Sequence, residues 1–168
     1  MPKNNIVLIG MPGAGKSTVG VILAKVLGYE FVDSDLVIQK ETGKLLAQII
    51  AKEGVDSFIE VENRINATLE CNKAIIATGG SVVYGEEAMN HLKEIGEIVY
   101  IKLPYDVLDQ RLSNIKQRGV VLKKGQNLKA LYEERCPLYE KYADIIIDAK
   151  DMGIEELVSA ISQAYENI

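Results

Sequence analysis

The segment Gly10–Ser17 combines glycines, a lysine and a serine in a spacing that suits phosphate binding. It reads GMPGAGKS and fits G-x-x-x-x-G-K-S/T at every fixed position. Glycines can adopt positive φ, so several backbone N–H groups can converge on phosphate oxygens, and the N-terminus of a following helix adds partial positive charge. Lys16 can reach the β- and γ-phosphates, and the Ser17 hydroxyl can ligate Mg²⁺, which prefers oxygen. The predicted nucleotide-binding residues of this loop are Gly13, Ala14, Gly15, Lys16, Ser17 and Thr18.

The alternative interpretation of this segment is a glycine-rich turn that contains a lysine by chance. Its context argues against that alternative, because a β-branched run precedes it and an amphipathic helix ending at Gly28 follows it. The motif therefore predicts ATP and Mg²⁺ binding but does not identify the phosphate acceptor. The apolar stripe predicted for the helix consists of Val19, Ile22, Leu23, Val26 and Leu27.

Two carboxylates, Asp33 and Asp35, follow the second predicted strand. Residues two apart on a strand face the same way, so both should look into the cleft at the carboxyl ends of the strands. One carboxylate could help hold Mg²⁺, and the other could accept a proton from an attacking hydroxyl. A helix cap is the alternative role. The position one strand after the phosphate loop favours the functional interpretation.

A glycine turn, Thr78–Ser81, follows the third predicted strand. Gly79 and Gly80 would let the backbone approach a ligand closely. A plain strand-to-helix turn is the alternative.

Short β-branched runs alternate with helical patterns, which predicts an α/β fold with a mostly parallel sheet covered on both faces. Residues 35–70 are too long for a simple crossover and predict an inserted helical region that binds substrate. Residues 113–125 are polar and basic, which fits either a mobile lid or an ordinary surface loop. The predicted strands are Ile6–Ile9, Glu30–Val32, Ala74–Ala77, Ile98–Ile101 and Asp144–Ile147.

The composition predicts one globular domain over residues 1–168. Of these residues 48% are hydrophobic and 26% are charged, and the net charge of −5 argues against a nucleic-acid or membrane partner. Two cysteines and one histidine exclude a plausible zinc constellation. The apolar N-terminal stretch is too short for a signal peptide, so we expect a cytoplasmic protein with reduced thiols.

Taken together, these motifs make the chain resemble the shikimate kinases, which belong with the nucleoside-monophosphate-kinase-like P-loop proteins. The resemblance spans essentially the whole chain. It implies a three-layer αβα P-loop kinase fold with a five-stranded parallel sheet, inserted substrate-binding helices and a lid. It also implies a usually monomeric kinase of aromatic amino acid biosynthesis. Beyond the phosphate loop and Asp33–Asp35, the resemblance is carried by Gly43, Gly54, Phe58, Glu62, Gly79–Gly80, Leu108–Arg111, Arg118 and Arg135–Tyr139.

On the nucleotide side, the resemblance implies that Lys16 binds the transferred phosphate and that Ser17 and Asp33 organise Mg²⁺. Arg111 would pack against adenine, and Arg118 would swing in with the lid to neutralise charge between the phosphates. From the residues alone, Arg111 could equally be a solvated helical arginine.

On the acceptor side, the resemblance implies that Asp35 holds the acceptor hydroxyl and acts as base. Gly80, with Gly79 beside it, would contact the acceptor through its backbone. Arg135 would pair with the acceptor carboxylate, although from the residues alone it could also be solvated.

The chain departs from the family mainly on the acceptor side. The family has F-R-x-x-E, whereas this chain has Ile59 at the arginine position. The arginine that normally contacts the shikimate carboxylate is thus absent, and Arg64 lies on a different helical face. The further departures are Leu45 for serine, Val55 for glutamate, Ser81 for the third glycine, and Arg118–Leu122 for R-P-L-L in the lid.

Two explanations for Ile59 stay open. A basic group such as Lys123 or Lys124 could complete a shikimate site, or the acceptor could differ. An amino group placed between Asp35 and Glu62 would suit a hydroxy-amino acid such as homoserine. The leading prediction is ATP-dependent phosphorylation of shikimate. The alternatives are another small hydroxy acid, polyol or hydroxy-amino acid as acceptor, and a non-catalytic nucleotide-binding regulator.

Overall fold

The computed structural model describes residues 3–113 and 127–168, whose strands form a single parallel sheet in the order β2-β3-β1-β4-β5. The strand order reverses around β1, so the cleft at the carboxyl ends of β1 and its neighbours is the expected ligand site. All five sequence-predicted strands are present, each shifted by at most two residues at an end. Their bounds are β1 (Asn5–Ile9), β2 (Glu30–Asp33), β3 (Ala74–Ala77), β4 (Gly96–Lys102) and β5 (Ile145–Asp148).

Helices cover both faces of the sheet, and three of them lie between β2 and β3. No helix within the two described ranges has the length and apolar character needed to cross a membrane. A short 3-10 helix spans Val82–Tyr84. The α-helices are α1 (Lys16–Leu27), α2 (Ser34–Thr42), α3 (Leu46–Glu53), α4 (Val55–Ala67), α5 (Glu86–Ile95), α6 (Tyr105–Ser113), α7 (Leu128–Tyr142) and α8 (Ile154–Glu166).

Strands β1 and β3 are fully buried and β4 is mostly buried, whereas the two edge strands, β2 and β5, are not. Residues of β1 and β3 are 0–2% exposed, as continuous apolar strands covered on both faces should be. On β5 exposure alternates along the strand, and Ile146 is 49% exposed. The expectation of two-sided burial was therefore wrong for β2 and β5, because an edge strand is only partly covered.

Helix α1 packs on the sheet through small residues. Gly28 ends it in the left-handed conformation, as predicted. Val19 and Leu23 are buried, but Ile22 and Val26 are 36% and 61% exposed, so the predicted apolar stripe was partly wrong. A Cβ on Gly20 would lie 2.8 Å from the Phe31 ring. This close approach centres the buried face on Gly20 and turns Ile22 and Val26 outward.

A second, smaller apolar cluster lies among α2, α3 and α4. It is formed by Ile38, Ile49, Phe58 and Ile65, and it is separate from the main core around the sheet. The segment between β2 and β3 therefore folds as packed helices with a small core of its own. This core fixes the helices beside the carboxyl end of β2.

Candidate active site

The phosphate loop leaves β1 at Gly10 and turns sharply into α1. Gly10, Gly13 and Gly15 have φ values of 150°, 84° and 92°. A Cβ at Gly10 would lie 2.8 Å from the Ile101 carbonyl oxygen, whereas one at Gly15 would meet open space. No side chain caps the N-terminus of α1. The amides at this turn can therefore receive an anion, as the sequence motif predicts.

Lys16 folds back over the phosphate loop. Its Nζ donates to the carbonyl oxygens of Gly10, at 2.6 Å, and Met11, at 2.8 Å. The side chain is largely buried but lines the main cavity beside the loop. These bonds hold an ammonium group next to the position that phosphates would take.

Ser17 and Asp33 face each other across the cavity floor. Ser17 Oγ donates to Asp33 Oδ2 at 3.4 Å. Asp33 Oδ1 accepts from the amides of Asp35, at 3.0 Å, and Leu36, at 3.4 Å, so it also caps α2. The cap, which was the alternative role, is thus present together with the hydroxyl–carboxylate pair.

Asp33 and Asp35 both line the main cavity, but strand alternation does not place them there. β2 ends at Asp33, and Asp35 belongs to the first turn of α2. The reasoning from strand periodicity was therefore wrong, because the Asp33 cap starts the helix immediately. The helical turn brings Asp35 to the same cavity by a different path.

Asp35 and Glu62 converge beside Gly79. A Cβ on Gly79 would lie 2.8 Å from Asp35 Oδ1 and 2.9 Å from Glu62 Oε2. Burial, with a contribution from Asp33, raises the pKa of Asp35 to about 6, while Lys16 opposes the shift. Asp35 is therefore mainly ionised at neutral pH and can accept a proton.

Glu62 is a buried carboxylate in the wall of the main cavity. Burial raises its pKa to about 7, against the opposing effect of a hydrogen bond from Ser81. Ser81 Oγ donates to Glu62 Oε1 at 2.6 Å. Oε2 is also buried and has no hydrogen-bond partner among the described residues. Burial of this side chain therefore disfavours its ionised form.

Arg135 brings a guanidinium to the same cavity. It is 1% exposed and projects from α7. A Cβ on Gly80 would lie 2.9 Å from Arg135 Nη1, so only glycine fits there without displacement. Tyr139 Oη donates to the Gly80 carbonyl oxygen at 2.6 Å. The glycine turn and α7 are thus locked together where Arg135 enters.

These groups surround a cavity of about 550 Å³ between the phosphate loop and α2–α4. Pro12 and Phe58 also line it, and the motif reading did not assign them to the site. Pro12 lies inside the phosphate loop and Phe58 belongs to the pattern that carries the family resemblance, so the sequence could have placed both residues in the site. The sequence-predicted residues that it brings together are Gly13, Gly15, Lys16, Ser17, Thr18, Asp33, Asp35, Gly79, Gly80 and Arg135.

A second cavity of about 210 Å³ lies on the other side of the phosphate loop. Gly15 and Thr18 line both cavities, and Ala14 lines this one. Arg111 is at its edge, where Nη1 donates to the Gly13 carbonyl oxygen at 3.0 Å. The phosphate loop therefore lies between two cavities.

The sequence reasoning missed most of the apolar residues of this second cavity, and three of those missed lie in or near loops that follow strands. Leu103, Ala149 and Met152 line it together with Arg111. Leu103 directly follows β4 and Ala149 directly follows β5. Their place at the carboxyl ends of parallel strands was a signal that could have found the first two.

Ile59 does not line the main cavity. It packs at the edge of the small core of α2–α4 and lines a separate surface depression with Tyr84. Leu45 does line the main cavity, and Arg64 is exposed on α4. Arg118, Lys123 and Lys124 lie outside the described residues, as does nearly all of the predicted lid at 113–125.

Comparison with known proteins agrees with this architecture. A sequence model of the shikimate kinase family matches residues 12–166. A shikimate kinase from Thermodesulfovibrio yellowstonii is 38% identical over 98% of this chain and 96% of its own length. One from Psychrobacter cryohalolentis is 40% identical over 95% and 87%.

A solved structure gives the same result for the fold. Shikimate kinase from Acinetobacter baumannii in complex with shikimate superposes with a TM-score of 0.87 at 32% identity. The match covers 98% of this chain and 94% of that one. Sequence, site geometry and fold lead to one conclusion: the chain belongs to the shikimate kinase family.

Proposed function

We propose that the protein transfers the γ-phosphoryl group of ATP to a hydroxyl group of shikimate. The observation that carries this proposal is that Asp35, Arg135 and the phosphate loop all line one cavity. A base, a carboxylate-binding cation and a phosphate site are the three elements that phosphorylation of a hydroxy acid needs. The relative from Acinetobacter baumannii that binds shikimate supports the choice of acceptor.

ATP would bind across the phosphate loop. The second cavity, lined by Leu103, Met152 and Arg111, has the apolar walls and the planar cation that suit an adenine ring. The phosphates would then follow the amides of the loop towards Lys16. The Lys16 ammonium would exchange its carbonyl partners for phosphate oxygens, which are the stronger acceptors.

Ser17 and Asp33 fit a magnesium ion. They offer one hydroxyl and one carboxylate oxygen 3.4 Å apart at the phosphate end of the cavity. Mg²⁺ is usually held by one or two protein oxygens together with water and substrate phosphates, so a larger protein cage is unnecessary. When bound, the ion neutralises negative charge on the phosphates during transfer.

Asp35 would act as the base. The proton of the acceptor hydroxyl passes to its carboxylate while the hydroxyl oxygen forms a bond to the γ-phosphorus. The bond from that phosphorus to the β,γ-bridging oxygen breaks, and ADP leaves. Lys16 stabilises the charge on the phosphoryl oxygens, and Arg135 holds the acceptor carboxylate so that the hydroxyl stays in line.

The test is ADP release by the purified protein with ATP and Mg²⁺. We expect saturable turnover with shikimate and none with nucleoside monophosphates. Absence of shikimate turnover, with activity on another acceptor of the panel, would overturn the choice of substrate. Nucleotide binding without turnover on any acceptor would instead favour the regulatory alternative.

Glu62 favours one second candidate acceptor. Its Oε2 is buried close to Asp35 and has no hydrogen-bond partner within residues 3–113 and 127–168, and a ligand ammonium group would satisfy both carboxylates. A hydroxy-amino acid such as homoserine carries that group together with a carboxylate for Arg135. Homoserine and gluconate therefore belong in the acceptor panel, and turnover of homoserine in place of shikimate would select this candidate.

We propose further that the protein acts as a monomer in the cytoplasm. The net charge of −5 supports independence from nucleic acid and anionic membranes. Light scattering during size exclusion tests the monomer, and a dimer mass would contradict it. Cell fractionation tests the compartment.

A further inference from the structure

Tyr84 contacts Arg135 but does not line the main cavity. It ends the 3-10 helix that follows the glycine turn, and it lines the surface depression next to Ile59. Arg135 Nε donates to Tyr84 Oη at 3.3 Å. The guanidinium carbon also lies over the Tyr84 ring, 5.3 Å from its centroid. Tyr84 therefore contacts the guanidinium both through its hydroxyl and through its aromatic face.

The Tyr84 hydroxyl is used twice. It accepts from Arg135 and donates to Glu134 Oε1 at 2.9 Å. Burial raises the pKa of Tyr84, so the phenol keeps its proton at neutral pH and can serve both partners. The hydroxyl thus links two adjacent residues of α7 to the 3-10 helix that follows the glycine turn.

The remaining surroundings of Arg135 leave it little freedom. The guanidinium is buried, and Nη1 lies beside Gly80, whose carbonyl oxygen accepts from Tyr139. An arginine loses substantial rotamer entropy when a ligand immobilises it, so fixing it beforehand favours binding. This matters here because no second arginine occupies position 59.

We propose that Tyr84 is a positioning residue that holds the Arg135 guanidinium in the orientation that binds the acceptor's carboxylate. The inference rests on the proposed function, since it requires an acceptor that carries a carboxylate. In this role Tyr84 does not contact the acceptor itself. Its effect should therefore appear in acceptor affinity and depend on the acceptor's charge.

The kinetic test compares Tyr84→Phe with the unmodified protein. Phenylalanine keeps the ring and removes the hydroxyl, so we expect the KM for shikimate to rise about 3- to 10-fold. The kcat and the KM for ATP should change less than twofold. Tyr165→Phe on α8 is the matched control and should leave the kcat and both KM values unchanged. A fall in kcat with an unchanged acceptor KM would overturn the proposal.

The acceptor's charge provides a second arm. Shikimate with its carboxylate converted to a neutral carboxamide should bind more weakly to the unmodified protein. Tyr84→Phe should then have little further effect, because the oriented guanidinium no longer meets a charge. An equal loss on both acceptors would show that the hydroxyl merely supports the local structure, and would overturn the proposal.

A spectroscopic arm is independent of the acceptor. The ¹⁵Nε–¹Hε signal of Arg135, assigned by its loss in Arg135→Lys, should show slow solvent exchange in the unmodified protein. In Tyr84→Phe it should shift and exchange faster. An unmoved signal would overturn the proposal even if shikimate proved not to be the substrate. Absence of shikimate turnover by the unmodified protein, with the signal moved, would overturn only the proposed function.

Discussion

Ser81 donates its hydroxyl hydrogen to Glu62 Oε1 across 2.6 Å, within the wall of the acceptor cavity. The resemblance to the shikimate kinases predicts a third glycine at this position, where this chain has a serine. The hydroxyl gives a buried carboxylate one hydrogen bond that favours the ionised form, although burial still outweighs it. Ionisation of Glu62 therefore lowers the stability of the folded protein.

Glu62→Gln should reduce the pH dependence of stability. Because burial raises the pKa of Glu62 from 4.5 to about 7, the folded protein binds more protons than the unfolded chain between these values. The contribution of Glu62 to stability is present at pH 4.5 and is lost as the pH rises to 7. Between pH 5 and pH 8, the loss of unfolding free energy measured with urea should be about 2 kcal/mol larger in the unmodified protein than in the glutamine variant, because Asp35 still titrates in both. An equal change of unfolding free energy with pH in both proteins would contradict this expectation. Exposed Glu60, changed to Gln, is the control.

Gly79→Ala should impair the acceptor side selectively. The added methyl would lie 2.8 Å from Asp35 Oδ1 and 2.9 Å from Glu62 Oε2, so both carboxylates must move. Gly79 does not have a positive φ, and backbone strain therefore does not complicate the result. We expect kcat/KM for the acceptor to fall at least about 10-fold, since small displacements of a catalytic group are costly. The KM for ATP should stay within twofold, and a parallel rise would indicate general damage.

Asp33→Asn should raise the Mg²⁺ concentration needed for half-maximal rate. Asparagine keeps a carbonyl oxygen that can accept from the amides of Asp35 and Leu36, so the cap on α2 persists. It lacks the negative charge that attracts the ion. Titration of the rate with Mg²⁺ should show a shift of about 10-fold or more, with a melting temperature close to that of the parent. An unchanged Mg²⁺ requirement would remove Asp33 from the proposed metal site.

Leu23→Ala and Val26→Ala should separate the two faces of α1. Leu23 is fully buried and Val26 is 61% exposed. We expect the first change to cost about 2–5 kcal/mol of unfolding free energy and the second less than about 1 kcal/mol. Denaturant unfolding measures both. Similar costs would mean that Val26 is covered in solution.

The phosphate loop and the strands were predictable because each depends on local sequence. Glycine spacing determines the turn at Gly10–Gly15, and β-branched runs determine the central strands. The placement of Asp35 was predicted for the wrong reason, since the cap formed by Asp33 converts the end of the strand into a helix at once. That switch depends on a side-chain hydrogen bond that strand periodicity does not contain.

The positions of Ile59 and Tyr84 could not be predicted in the same way. Their proximity depends on how α4 packs against the segment after β3, and these two elements are distant in sequence. Met152 was missed for a similar reason, because it joins Leu103 only through the packing of β4 and β5. Contacts of this kind follow from tertiary structure and leave little trace in residue spacing.

The two separate apolar cores have a consequence for folding. Helices α2–α4 enclose Ile38, Ile49, Phe58 and Ile65 in a core of their own, while α4 also packs against α5 of the main core, so α2 and α3 are the part expected to open first. We expect α3 amides to exchange with deuterium by sub-global opening, well before those of β1. Helices α2 and α3 should thus open while the central sheet stays folded and, on the proposed function, acceptor binding should slow that exchange.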